Sequence, residues 1–308
     1  MTAFDELVAP YYRELHAHCY RMLGSPHDAE DALQDALLGA WRGLAGFEGR
    51  ASVRSWLYKI ATNACLRIIR ERPRKLVAEE YRPATTDVEQ LGEPVAQAWL
   101  EPYPLDPQAS FELRESVELA FVAALQHLPG TQRAVVILRE VLAFSAAEVA
   151  EALDTTVASV NSALQRARKS LDERVPDRSQ QATLRELGEE GQRALVERFV
   201  AAWERGDVPA ILDLLVEDAR LSMPPLPAWF DGRTDIGRFL TERVFVTPWR
   251  LVPVHANGQL AFACYQGVDG DFRIGSLTVL TLRGDRIAGI THFLDPAMYA
   301  GFNLPPDR

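Results

Sequence analysis

Residues 145–171 constrain the fold more than any other stretch of this chain. Ser145-Ala-Ala-Glu148 is a Ser-x-x-Glu capping box that opens one helix, and Asp154-Thr-Thr156 is a turn whose last hydroxyl can cap a second. Val149, Ala152, Leu153, Val157, Val160 and Leu164 are the apolar positions that bury the two helices against each other. The second helix shows Ser159, Asn161, Ser162 and Gln165 to solvent and ends in Arg166, Arg168 and Lys169. The plain reading is a helical hairpin with a solvated basic face. Two caps around a short turn point instead to a helix-turn-helix, whose second helix fits the major groove with polar groups on base edges and cations near phosphates.

The rest of the chain narrows the setting. No run approaches the ~20 apolar residues that cross a bilayer, and the start, Met1-Thr-Ala-Phe-Asp5-Glu6, has no apolar signal core. Cys19, Cys65 and Cys264 lie far apart, with no zinc spacing and no even disulfide set. A reduced cytoplasm is the expected compartment, with no membrane partner, metal or cofactor. The net charge of −10 argues against a protein that simply coats nucleic acid. Its distribution says more. Residues 42–75 hold nine Arg or Lys against two acids, a net +7, whereas residues 79–112 hold eight acids against one Arg, a net −7. Adjacent segments with opposite charge face different electrostatic partners.

Four segments follow from the patterning. Residues 1–75 read as a helical domain. Its second helix, 28–41, buries Leu33, Ala36, Leu37, Ala40 and Trp41, and Ser52 caps a third helix with Trp56, Ile60, Ala64 and Ile68 at i, i+4 spacing. Residues 76–112 read as an acidic, proline-punctuated linker in which Trp99, Leu100 and Tyr103 are apolar exceptions able to anchor it. Residues 113–176 carry the helix-turn-helix. Residues 185–308 read as α+β: two helices over 189–216 broken at Arg205-Gly206-Asp207, a short strand 219–223, a helix 234–246, then four strands. Asn257-Gly258, Asp269-Gly270 and Gly284-Asp285 punctuate those strands as hairpin turns. The expected architecture is therefore two all-α domains plus an α+β domain.

Two motif sets carry a resemblance. Asp28-Ala-Glu-Asp-Ala-Leu-Gln-Asp-Ala-Leu-Leu-Gly-Ala-Trp41 with Ser55-Trp-Leu-Tyr-Lys-Ile-Ala-Thr-Asn63 resembles region two of extracytoplasmic-function RNA polymerase sigma factors. Leu128-Pro-Gly-Thr-Gln-Arg-Ala134 and the helix-turn-helix resemble region four, in the right order and spacing. The resemblance implies promoter recognition and melting. It assigns Arg50, Ser52, Arg54, Trp56, Lys59, Asn63, Arg67 and Arg70 to the minus-ten element, and Ser159, Asn161, Ser162, Gln165, Arg166 and Lys169 to the minus-thirty-five element. It assigns Gln34, Asp35 and Leu38 to docking on the clamp coiled coil of the polymerase's largest subunit, with the flap as a further polymerase contact. Cations on that helix suit phosphates. Trp56 stays open between a core role, by its relation to Ile60, and a base-stacking one. Asn161 and Ala163 stand where common relatives have Lys and Arg, which puts inherited promoter preference in doubt. In the family the linker runs toward the polymerase's positively lined RNA channel; a solvated spacer is the equal alternative.

The third domain resembles the SnoaL-like cone through Phe199-Val-Ala-Ala-Trp203, Asp207 and Met223-Pro-Pro-Leu-Pro-Ala-Trp-Phe-Asp-Gly-Arg233. Some sigma factors carry it as a regulator in cis. Trp203, Trp229, Phe230, Trp249, Tyr265, His292 and Asp295 either line a pocket for a small ligand or form core. The expected protein is not an enzyme; the competing expectation is a ligand-sensing helix-turn-helix regulator that works without core polymerase.

Overall fold

Capping chemistry sets most helix starts, and the hydroxyls of Ser25, Ser52, Ser110, Ser145, Thr156 and Ser179 each accept a backbone N–H three residues on. The computed structural model describes residues 3–49, 51–95, 99–106 and 108–307. In chain order the helices are α1 (Ala3–Val8), α2 (Tyr12–Leu23), α3 (Pro26–Gly43), α4 (Val53–Glu71), α5 (Ala78–Tyr81), α6 (Phe111–Ser116), α7 (Leu119–Gln126), α8 (Gly130–Val136), α9 (Ala146–Ala152), α10 (Val157–Asp172), α11 (Gln180–Glu204) and α12 (Val208–Leu214). There follow β1 (Leu215–Ser222), β2 (Trp229–Asp231), α13 (Arg233–Phe239), β3 (Trp249–Ala256), β4 (Gln259–Val268), β5 (Asp271–Arg283), β6 (Arg286–Phe293) and α14 (Pro296–Tyr299). Among the described residues no helix is long and apolar enough to cross a membrane. Two compact units result: residues up to Lys75 with Leu119–Pro176, and Leu76–Glu118 with the chain from Asp177 onward.

The first unit is all-helical. Leu15, Cys19 and Met22 of α2, Ala29, Ala32, Leu33 and Ala36 of α3, and Leu57, Ala61, Cys65 and Ile68 of α4 form its centre. Alanines on α3 let the helices approach closely. His18 Nε2 lies 2.9 Å from Thr62 Oγ1 inside this core, and burial lowers the imidazole pKa to about 3, so it stays neutral. Arg133 of α8 is buried and gives N–H bonds to the Met22 carbonyl, to Gln126 Oε1 at 2.6 Å, and to the carbonyls of Gln126 at 2.9 Å and Leu128 at 3.2 Å. One guanidinium thereby joins the α2 terminus to the α7–α8 turn. Charge-assisted bonds of this kind contribute about 1.5–3 kcal/mol each. Trp41 departs from its expected burial and is 61% exposed. Three residues after Leu38, it shares that helix's outer face. Val157 is 44% exposed, because the first turn of α10 extends beyond the packed hairpin.

The second unit is built on a six-stranded sheet in the order β2-β1-β6-β5-β4-β3, with β1 and β6 parallel and the other neighbours antiparallel. Asn257 and Gly258 take φ of 52° and 66°, and Asp269 and Gly270 take 52° and 92°. These are the left-handed values a two-residue hairpin turn requires. Phe199 and Trp203 of α11 pack on Phe262 and Leu280 of the sheet, with Ile211 and Ile236 closing the core. Helix α11 begins at Gln180, earlier than the apolar period indicates, and breaks at Gly188. Strand β2 lies within the proline-rich stretch that periodicity leaves unassigned. The linker is packed rather than strung out in solvent: Ala78, Val88, Trp99, Leu100, Tyr103 and Leu105 are buried. Its apolar residues outweigh its prolines because each finds a fixed partner, such as Trp229 beside Ala78 and Trp99.

Candidate nucleic-acid interface

Helix α10 separates its two faces cleanly. Val160, Ala163, Leu164, Ala167 and Leu171 are buried. Ser159, Asn161, Ser162, Gln165, Arg166 and Lys169 are all exposed. The Thr156 hydroxyl accepts the Ser159 N–H at 3.1 Å and lies 2.9 Å from the Ser159 hydroxyl, so Ser159 is tied to the cap. Arg168 is drawn aside by Glu140. Ala163 sits on the packed face, so a cation at that position would not reach phosphate from this geometry; Asn161 is the outward one of the pair. The preceding capping box is complete, and the hydrogen bond from the Ser145 backbone holds the Glu148 carboxyl below its usual pKa.

The basic helix α4 is different, because several of its polar groups already have partners within the same unit. Lys59 Nζ lies 3.0 Å from Asp154 Oδ1 and 2.9 Å from the Glu151 carbonyl. The Ser55 hydroxyl donates to Glu148 at 3.2 Å. Arg54 lies over the rings of Tyr58 and Phe144, 3.7 Å from Glu14, and donates to the Leu142 carbonyl. Arg67 pairs with Asp35. Asn63 and Arg70 are exposed, and Ser52 serves as the helix cap. Trp56 is half-buried and packs its ring 4.7 Å from that of Phe47. Arg50 lies outside the described residues. On α3, Gln34, Asp35 and Leu38 are exposed. Trp41 joins Leu38 there; its placement three residues on was the available signal, masked by its apolar character.

The structure brings Trp203 and His292 together, with ring centroids 5.3 Å apart, and does not gather the whole aromatic set of the second unit around one space. Trp203 and Phe230 are core, the latter stacked on Phe239 with centroids 4.5 Å apart. Trp229 meets the linker and donates its indole N–H to the Arg82 carbonyl at 2.8 Å. Trp249 donates to the Val244 carbonyl, and Tyr265 to the Pro305 carbonyl. Asp295 caps α14. His292 Nδ1 lies 2.6 Å from Thr278 Oγ1 in the interior, where burial lowers its pKa to about 4. These are the settings of core and cap residues. A cavity of about 420 Å³ in this unit is lined by other side chains: Leu105, Asp106, Phe111 and Arg114, together with residues of α11 and the β3–β4 hairpin.

The linker is held by hydrogen bonds along its length. Thr85 donates to the Trp229 carbonyl, Val95 to that of Pro225 and Leu105 to that of His255. Asn257, fully buried, is the tightest point. Its Oδ1 accepts the Tyr103 N–H at 2.8 Å, its backbone N–H donates to the Tyr103 carbonyl at 3.0 Å, and its Nδ2 donates to the Val117 carbonyl at 2.7 Å.

A helical unit with a capped recognition-type hairpin, and an α+β unit that holds an acidic linker, define a sigma-type transcription protein with a C-terminal extension. The family model of Sigma-70 region 2 matches residues 7–75, that of Sigma-70 region 4 matches residues 118–171, and that of the SnoaL-like domain matches residues 196–290. The extracytoplasmic-function (ECF) RNA polymerase sigma factor SigG of Mycobacterium tuberculosis is 41% identical over 313 residues, covering 98% of this chain and 84% of that protein. SigW of Bacillus subtilis is 29% identical over 175 residues, covering 57% of this chain and 90% of its own. The crystal structure of SigJ from M. tuberculosis shares the fold, with a TM-score of 0.64 at 24% identity over 97% of this chain and 100% of that one. The chain belongs to the ECF sigma factors of RNA polymerase and carries the SnoaL-like domain as its regulatory extension.

Proposed function

We propose that this sigma factor directs cytoplasmic RNA polymerase core to promoter DNA, and that its extension regulates it by withholding the linker. The face of α10 reads the upstream element and α4 with its preceding loop engages the melted one. Leu38 and Trp41, beside Gln34 and Asp35, form the polymerase-docking patch; an exposed apolar pair on a helix is the kind of anchor that buries into a partner groove. The extension acts through binding, with no catalysis. One observation carries the regulatory reading: Asn257 holds Tyr103 within the linker and Val117 just beyond it, so the C-terminal part of the linker stays fixed to this turn while those bonds last. An acidic segment bound there is unavailable to a positively lined polymerase channel. Within the helical unit, the contacts of Lys59 and Ser55 with Asp154 and Glu148 likewise occupy the α4 face.

The test is run-off transcription with purified bacterial core and a promoter library, using the full chain and Asn257→Ala. Promoter-dependent transcripts are expected from both, with at least threefold more from the variant. No transcript from any enriched sequence would overturn the polymerase reading. Tight operator binding by the isolated chain under those conditions would favour the core-independent regulator.

A further inference from the structure

The 420 Å³ cavity falls within the volume range of small-molecule sites. Its walls come from three segments that are distant in sequence. Leu184 and Val196 of α11 and Leu260 of β4 supply an apolar side. Arg114 of α6, at the C-terminal end of the linker, Arg185 of α11 and His255 of β3 bring basic nitrogen to the same space, against one lining carboxylate, Asp106.

Two backbone features hold the space open. At Gly188 the chain takes φ 70° and ψ 168°, a conformation essentially confined to glycine, so α11 cannot continue straight past the cavity. The Leu184 carbonyl, freed by the break, accepts from Gln192 Nε2 at 2.7 Å instead. On the opposite wall Gly258 presses on the linker: a Cβ built there would lie 2.9 Å from the Cβ and carbonyl oxygen of Arg114. The hairpin turn and the linker are thus fixed to each other beside the cavity, and the cavity is complete only with the linker in place.

Arg185 links the ligand space to the linker. Its guanidinium lies 4.3 Å from the centroid of the Phe111 ring, across from α11 on α6. Among the described residues no carboxylate pairs with it. A guanidinium over an aromatic ring spends no hydrogen bond on it, so its N–H groups remain suited to two-point bonding to an anion. An anion held by those groups and the Arg114 side would therefore tie α11 to the linker without displacing Phe111.

We propose that this cavity binds a small amphipathic anion, with a carboxylate or phosphate head toward Arg185 and Arg114 and a short apolar body against Leu184, Val196 and Leu260, and that occupancy strengthens the hold on the linker and so lowers sigma activity. The effect on transcription rests on the linker-withholding reading; the binding does not. A ligand at ten times its Kd that binds only the linker-held form raises the ratio of held to released chain about elevenfold.

The experiment titrates the full chain calorimetrically with octanoate, octyl phosphate and 1-octanol, and follows amide exchange of residues 99–118 with and without octanoate. One-to-one binding of an anion is expected, at least tenfold tighter than 1-octanol, and at least tenfold weaker in Arg185→Gln. Leu260→Trp, verified as folded by circular dichroism, should abolish it by filling the cavity. The two anions separate a carboxylate site from a phosphate site. No binding of either anion at millimolar concentration, equal binding of octanoate and 1-octanol, or unchanged binding in Arg185→Gln overturns the site. Amide exchange separates the two ideas: a linker unprotected before any addition defeats the withholding reading alone. Anion binding that leaves a protected linker's exchange unchanged defeats the coupling.

Discussion

Glu118 is nearly buried, and its carboxylate accepts the N–H groups of Gln180 at 2.8 Å and Gln181 at 2.7 Å in the first turn of α11. Those donors have no partner inside the helix, and an anion there also meets the positive end of the helix dipole. Burial outweighs both and raises the carboxyl pKa from 4.5 to about 7. The folded chain therefore binds this proton more tightly than the unfolded chain does. The resulting stability is full below pH 4.5 and is lost as pH rises through 7, amounting to about 3–4 kcal/mol in all. His18 and His292 have the opposite sign. Their lowered values give stability above pH 6.5 that drains as the medium is acidified through their folded pKa. Urea unfolding of wild type and Glu118→Gln at pH 5 and pH 8 isolates the carboxyl, because the histidine contributions cancel in the difference. Wild type should gain on the variant by about 2–3 kcal/mol at pH 5 relative to pH 8. A gap that stays constant with pH would refute the assignment.

Helix α11 shows what a single position does to an element. A Cβ at Gly188 meets nothing within 4 Å, so space permits a side chain there and the backbone forbids it. Gly188→Ala should cost about 1–3 kcal/mol and lower the urea midpoint of the unit; a neutral or stabilising result would mean that the break is not enforced. The sequence leaves this kink unannounced, since a glycine within a polar, acid-rich stretch reads equally as a helix boundary. Elements whose signals are local were legible: the Ser145–Glu148 box, the Ser52 cap, the Asn257-Gly258 turn and the inward stripe of α10 all depend on neighbours within a few residues. What depends on distant chain was not. Periodicity placed Trp41 with Ala40 because it is apolar, and it marked Trp99 and Tyr103 as anchors without naming an anchorage. Asn257 lies 154 residues from Tyr103, and nothing local to either marks the pair. Of the seven residues expected around a pocket or in the core, Trp203, Phe230, Tyr265 and His292 are buried, Trp229 meets the linker, Trp249 is half-buried and Asp295 caps α14. The residues that enclose the cavity are polar or aliphatic and scattered over three segments, which composition cannot assemble.

At the scale of the whole molecule, charge count and available charge differ. The basic block carries a net +7 in sequence. Arg54, Lys59 and Arg67 nevertheless lie within 4 Å of Glu14, Asp154 and Asp35, respectively. A cation already neutralised by a carboxylate releases no counterion from DNA, so the free chain should show a shallower salt dependence than its arginines and lysines imply. The Lys59–Asp154 pair is the sharpest test, because Asp154 is 79% exposed and its loss should cost at most about 1 kcal/mol of stability. Asp154→Asn frees Lys59 without adding a charge. Its affinity for duplex DNA, followed by fluorescence anisotropy between 50 and 200 mM salt, should be higher than wild type at the low end. The slope of log K against log salt should steepen by about 0.9, the value for one additional phosphate contact. Lys59→Ala in the same background should return the slope to that of wild type. A variant with the wild-type slope would refute the claim that this ion pair withholds a phosphate contact.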